Sequence, residues 1–168
     1  MSEPISTTND VLVLVHGLAA PKWVMTPLDW SLRRSFGRVI NWGYSSLWSP
    51  IERHGKKLAQ LLADLDRNGN QRIHLVTHSM GGIVARVALT EFQPGNMGRC
   101  VFACPPSRGS WLASRLLPLI GSWVPPARQL ADRADSFVCS LPLPAESLEI
   151  GIIAASRDLQ VPVAATRL

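Results

Sequence analysis

The sequence predicts an α/β fold of one domain: a mostly parallel β-sheet flanked by helices on both faces. Three observations carry this. Short, wholly apolar runs, of which Val11-Leu12-Val13-Leu14-Val15 is the purest, read as strands buried on both sides. These runs alternate with longer segments whose apolar residues recur at helical spacing. A chain of 168 residues, 46% hydrophobic and 17% charged, is large enough for one buried core and too apolar for disorder.

Residues 11–15 are the expected central strand, and 39–44 (Val-Ile-Asn-Trp-Gly-Tyr) the second. A helix should follow at Ser49-Pro50, with Ser49 as N-cap, Pro50 in the first turn and Glu52 completing a capping box. Its apolar face is Ile51, Leu58, Leu61, Leu62 and Leu65, and Asn68-Gly69-Asn70 should end it. The third strand is 72–77, and the helix after it turns Ile83, Val84, Val87, Ala88 and Phe92 inward until Gln93-Pro94-Gly95-Asn96. Residues 100–104 and 148–155 are the fourth and fifth strands. Between them, 105–144 reads as an irregular segment rich in Trp, Leu and Pro.

Charge and composition exclude several functions. The formal charge is +5, but Arg33, Arg34, Arg38, Arg53, Lys56 and Lys57 are scattered, with no aromatic-interleaved basic run. Nucleic acid is therefore not an expected partner, while weak contact with an anionic membrane surface stays open. No window reaches the ~18 apolar residues needed to cross a bilayer, and residues 1–10 lack the order of a secretory signal. Cys100, Cys104 and Cys139 have no metal-ligand spacing and cannot all pair, so reduced thiols and a cytoplasmic location are expected. No P-loop or dinucleotide-binding glycine pattern is present, and neither cofactor nor metal is expected.

The chemistry concentrates in residues 74–86, His-Leu-Val-Thr-His-Ser-Met-Gly-Gly-Ile-Val-Ala-Arg. An apolar strand runs straight into Ser79, then two glycines, then an amphipathic helix. A strained strand-to-helix turn of this kind lifts a serine hydroxyl above the sheet edge and sets it beside the free N–H groups of a helix N-terminus. Small residues two positions to either side let strand and helix pack. Gly81 fits that need, whereas Thr77 stands where the common pattern has glycine. In isolation, the same pattern also describes a turn with a capping hydroxyl. The strand 11–15 ends in His16-Gly17-Leu18, at the same sheet edge. Backbone N–H groups of Leu18 and Met80 would together form an oxyanion hole. His16 shapes this loop, and His78, adjacent to the serine, points elsewhere and is read as a packing or hydrogen-bonding residue.

These pieces resemble a lipase-like serine esterase of the α/β-hydrolase family. The matching stretches are 13–18, 41–46 (Asn-Trp-Gly-Tyr-Ser-Ser), 74–86 and 105–110 (Pro-Pro-Ser-Arg-Gly-Ser), in the family's order and spacing. Related lipases carry Thr-His-Ser-Met-Gly-Gly, so Thr77 lies within the family's range. The resemblance implies a carboxylesterase or lipase with Ser79 as nucleophile and an acyl ester or lipid as small-molecule substrate. Asp158, in a loop ending Val161-Pro162, fits the family's acid, with Asp132 and Asp135 as weaker candidates. The family's base is a histidine following the acid. Only ten residues follow Asp158 and none is histidine, which leaves two expectations. Either the fold is a C-terminally shortened one without its last strand and helix, or the protein is an inactive relative that binds a lipid or partner. His16, Trp111 and Leu112 are the expected pocket residues. The segment 105–144 is either a lid-like insertion forming an acyl-binding wall or a helix packed on the sheet.

Overall fold

A computed structural model describes residues 8–69, 71–120, 123–133, 135–156 and 161–168. Five parallel strands, β1 (Thr8–Val15), β2 (Phe36–Trp42), β3 (Ile73–His78), β4 (Met97–Ala103) and β5 (Ile150–Ile153), form one sheet in the order β2-β1-β3-β4-β5. After β1 comes a 3-10 turn, Lys22–Met25, and then α1 (Thr26–Leu32). Helix α2 (Ile51–Arg67) joins β2 to β3, and α3 (Met80–Glu91) joins β3 to β4. Three short helices, α4 (Trp111–Ile120), α5 (Pro125–Gln129) and α6 (Phe137–Ser140), lie between β4 and β5.

The chain steps outward from β1 to β2 and then returns past β1 to β3. Because parallel crossovers are right-handed, this reversal throws α1 to one face and α2 and α3 to the other. The alternation of β1 records the division. Val11, Val13 and Val15 pack with Ile73, Leu75, Phe102 and the inner faces of α2 and α3. Leu12 and Leu14 face Met25, Leu28 and Leu32. The reversal also opens a crevice beyond the C-terminal ends of β1 and β3, where sheets of this kind place their ligands.

Strand boundaries differ from the apolar runs for local reasons. Strand β1 begins at Thr8 because that residue already pairs with Phe36 ahead of a shift in register. Strand β2 spans Phe36–Trp42, so Tyr44 lies outside the ladder and is free to face the end of β1. Residues 105–144, expected to be irregular, contain α4, α5 and α6. The capping box at Ser49 does not form. The N-cap of α2 is Pro50 with no side-chain cap bond, and the Ile51 N–H instead donates to Gln129 Oε1 of α5 at 2.7 Å. Gln129 Nε2 in turn donates to the Glu52 carboxylate. One amide from a distant helix thus replaces the local cap, and in doing so ties α5 to the start of α2.

Helix α3 is buried from Met80 to Leu89, covered by the sheet, α2 and the segment after α6. Arg86 is buried in it and donates to the carbonyls of Leu141 and Pro142, both at 3.0 Å. Burial lowers its pKa from the ordinary value; the two carbonyls satisfy Nη2, while the buried Nε has no hydrogen-bond partner among the described residues. Helices α2 and α3 meet at Gly55, where a Cβ would lie 2.2 Å from Val87 Cγ1 and 2.6 Å from Val87 Cβ. Alanine in a helix interior gains about 1 kcal/mol over glycine, but overpacking a tight core costs about 1–3 kcal/mol. Overpacking wins here because the obstructing atoms belong to a β-branched side chain with no room to move. Gly55→Ala should therefore destabilise the protein in chemical denaturation, and adding Val87→Ala, which removes Cγ1 but keeps the Cβ at 2.6 Å, should recover only part of the loss.

Candidate active site

Ser79 is the residue between β3 and α3. Its backbone has φ 52° and ψ −127°, left-handed for a residue with a side chain. Such a conformation costs on the order of 1–3 kcal/mol and persists only where the surroundings enforce it. Two hydrogen bonds do so: the Ser79 N–H donates to the Ala103 carbonyl at 2.8 Å, and the Gly82 N–H donates to the Ser79 carbonyl at 2.9 Å. The side chain makes no cap bond to its own helix, so the hydroxyl is left for other work. Ala19 (φ 53°), at the exit of β1, and Cys104 (φ 48°), at the exit of β4, share the left-handed conformation. The strain gathers at one edge of the sheet.

The glycines around Ser79 are dictated by close approach. A Cβ on Gly81 would lie 2.5 Å from the Val15 carbonyl oxygen and 2.7 Å from that of His16. A Cβ on Gly17 would lie 2.9 Å from Ser79 Cβ. The start of α3 is therefore pressed against the end of β1, with only hydrogen atoms between. Thr77 is fully buried at the position where the common pattern has glycine. A Cβ on Gly82 would come within 3.0 Å of Pro105 Cβ and 3.3 Å of Thr77 Oγ1, so the second glycine leaves space that the proline and the threonine share.

The exit of β1 is held by one tyrosine. Tyr44 donates its hydroxyl to the His16 carbonyl at 2.7 Å and its backbone N–H to His16 Nε2 at 3.3 Å. The His16 Nδ1–H donates to the Gly17 carbonyl at 3.0 Å. The rings stack at 4.3 Å. With Nε2 accepting and Nδ1 donating, the imidazole is fixed in its neutral form, and burial lowers its pKa below 6.5. Trp42 also stacks on Tyr44 at 4.9 Å, and His54 packs against the same ring, tilted, at 4.7 Å, buried, with neither ring nitrogen in a full hydrogen bond. Burial lowers its pKa as well, aided by the charge of Lys57 and only partly offset by the Ser49 backbone. The sequence offers Tyr44 only as the end of the expected strand 39–44 and as part of residues 41–46, with no role at the site. Its signal was being the only tyrosine in the chain, one residue beyond a glycine at a strand end.

A cavity of about 280 Å³ opens at this edge, lined by Ser79, Leu18, Leu47, Leu112, Leu130 and Val161 among others. Ser79, Leu18 and Leu112 thus come together. Met80 is buried at the first position of α3, where a helical N–H has no partner within its own helix. His16 lies behind the cavity against Tyr44 rather than lining it. Trp111 does not line it either: it is 48% exposed, with the Arg115 guanidinium over its ring at 4.9 Å. Asp158 lies outside the described residues. Asp132 accepts a hydrogen bond from Ser114, and Asp135 pairs with Arg133 at 3.0 Å; neither lines the cavity. His74 is at the opposite sheet edge, accepting from the Arg99 N–H on Nδ1 and facing Asp10. Among the described residues no imidazole hydrogen-bonds the Ser79 hydroxyl, and no cluster of three His, Cys, Asp or Glu side chains could hold a metal.

Two measurements follow from this packing. His16 and His54 stay neutral in the fold, whereas in the unfolded chain they titrate near 6.5. Below that value the unfolded state binds the extra protons, so stability falls as pH drops from about 7.5 to about 5.5. Thermal melts should show this, and His54→Leu should flatten the slope. Thr77 Oγ1 is buried without a partner. Thr77→Val keeps the shape and removes the unsatisfied hydroxyl, so it should raise unfolding free energy by about 1 kcal/mol in urea titrations.

The chain matches the sequence model of the α/β-hydrolase family over residues 12–164. Among curated proteins none matches it. Among solved structures, mature lipase BlEst2 of Bacillus licheniformis is 19% identical with a TM-score of 0.60, over 77% of this chain and 59% of that one. Phospholipase PlaB of Legionella pneumophila, solved with thio-NAD, is 17% identical with a TM-score of 0.70, over 94% of this chain and 44% of that one. A Silicibacter protein described as a candidate thioesterase is 16% identical with a TM-score of 0.64, over 97% of this chain and 63% of that one. At these identities the likeness is one of fold, and the chain spans less than two thirds of each of those proteins. The family match over most of the chain, together with the parallel sheet and the strand-to-helix turn at its centre, establishes that this chain belongs to the α/β-hydrolase family.

Proposed function

We propose that the protein is a serine ester hydrolase acting on apolar acyl esters, with Ser79 as nucleophile. The observation that carries this is the left-handed Ser79, uncapped at the N-terminus of a buried helix and facing a mostly apolar cavity. In the proposed reaction the Ser79 hydroxyl attacks the acyl carbonyl, and the alcohol leaves with a proton. Water then releases the acid from the acyl-serine. The backbone N–H groups of Leu18 and Met80 receive the oxyanion. Each such donor contributes about 3 kcal/mol when removed singly, which is why the Tyr44 tie on the exit of β1 matters to the chemistry. Leu112, Leu130 and Val161 would receive the acyl chain. Asp158 is proposed as the acid that orients a base, on its sequence context alone. Residues 105–144 supply much of the cavity wall and serve in this reading as its cover.

A second reading has one observation in its favour: no described imidazole is hydrogen-bonded to Ser79. In that reading the cleft binds a lipid or an apolar partner without turnover. An unactivated serine loses several orders of magnitude in rate. A fluorophosphonate probe with mass-spectrometric readout separates the two. The hydrolase reading expects an adduct on Ser79 that disappears in Ser79→Ala. A folded chain that takes no label would leave only the binding reading standing.

A further inference from the structure

We infer that the mouth of the Ser79 cavity is a docking face for a lipid bilayer bearing anionic headgroups. Four tryptophans stand out from this edge: Trp23 (69% exposed) after β1, Trp48 (66%) between β2 and α2, Trp111 (48%) opening α4 and Trp123 (76%) between α4 and α5. Three of them are sequence neighbours of residues that line the cavity, Leu47, Leu112 and Val124. Each of these three therefore stands on the backbone within one residue of the cavity wall, with its own ring turned to the outside. A tryptophan held in water forgoes most of the gain from burying its ring, while its apolar body and single N–H suit the boundary between headgroups and acyl chains. Clustered apolar side chains beside a pocket mark an interaction surface.

Charge decides which partner this surface fits. Lys22, Arg53, Lys56, Lys57, Arg108 and Arg115 are exposed on the connections and first helical turns at the same edge. Many of the carboxylates lie at the far edge instead: Asp10 near the start of β1, Asp64 and Asp66 at the end of α2, Glu91 ending α3, and Glu146 and Glu149 ahead of β5. Three carboxylates stand nearer the mouth: Asp135 is paired with Arg133, while Glu52 and Asp132 accept from the neutral Gln129 and Ser114 and keep their charge, so the six cations outnumber them. Arginines at that far edge (Arg33, Arg34, Arg38, Arg67, Arg72 and Arg99) balance its carboxylates, two of them in direct pairs with Asp64 and Glu149, so the chain's net +5 falls chiefly on the edge with the tryptophans. Arg115 stacked over Trp111 combines both features in one pair. A positive rim around apolar anchors complements an anionic bilayer, whose attraction acts within a Debye length and is screened by salt. Trp30, also 69% exposed, lies on α1 beyond the edge and serves as the internal control.

The docking does not rest on Ser79 turning over. A chain that takes the fluorophosphonate label yet ignores vesicles loses the docking alone, and the reverse result leaves the docking intact. The test is co-sedimentation with vesicles of phosphatidylcholine alone or with about one third phosphatidylserine, at low and high salt. Partitioning onto the anionic vesicles should be at least about tenfold stronger, should fall at high salt and should shift tryptophan emission to the blue. Trp48→Ala/Trp123→Ala and Lys56→Glu/Lys57→Glu should each weaken it by about tenfold or more, while Trp30→Ala leaves it unchanged. Equal partitioning on both vesicle types, or full binding by both double variants, overturns the proposal. So does a dimer, seen by light scattering, that dissociates in Trp48→Ala/Trp123→Ala, since the face would then join two copies. Vesicles with brominated acyl chains supply a test free of mutation: quenching of the wild-type tryptophans supports docking, and unquenched emission rejects it.

Discussion

The N-terminus of α3 lies closer to the end of β1 than any side chain permits, and the sheet edge that carries Ser79 is built around that approach. At Gly81 the neighbouring atoms are the carbonyl oxygens of Val15 and His16, backbone atoms that cannot be repacked. Glycine there is what lets strand β3 reverse directly into a helix beside its neighbouring strand. The left-handed Ser79 is the geometric consequence, costing a few kcal/mol at most. That cost is offset by the burial of nearly the whole of α3 between the sheet and α2. The order of dependence runs from close approach to strained turn, and from strained turn to projecting hydroxyl.

The same approach places a demand on the exit of β1, which must hold its backbone against α3 without secondary structure of its own. Tyr44 and His16 meet that demand. Two hydrogen bonds and a stacked ring pair anchor a loop that runs beside Ser79. Each bond adds only about 1 kcal/mol to stability. Their value lies in direction, since they aim the backbone of Gly17 and Leu18 along the cavity wall. The cost is a cluster of polar rings in the core, His54 included, that must stay neutral. A segment remote in sequence then closes the cavity from above. Gly109, at φ 94°, brings the start of α4 against Asp132, and Gln129 of α5 caps α2. The first contact folds the segment onto itself, and the second ties it to the start of α2.

Much of this was legible in the sequence because it is written in short-range rules. The all-apolar run 11–15 could only be a strand buried on both faces, and β1 is the strand between β2 and β3. Ser79 between a β-branched run and two glycines marked the turn, whose strain the backbone angles display. Leu18 and Leu112 line the cavity with Ser79. The local cap at Ser49 was misleading because a capping box competes with any better acceptor the fold brings in, and Gln129 is such an acceptor. Residues 105–144 hid three helices because prolines and glycines break their periodicity into pieces too short to recognise.

The sequence by itself determined the alternation of strand and helix, the turn at Ser79 and the need for small residues around it. These depend on side-chain periodicity and on backbone conformations that only certain residues tolerate. Tertiary structure alone decided that Gly82 makes room for Pro105 and Thr77, that Tyr44 holds the end of β1, and that Trp111 faces water while Leu112 faces the cavity. Those outcomes turn on distances between segments far apart in the chain, and neighbouring residues of one sequence can be sent to opposite surfaces once a helix is set down on a sheet.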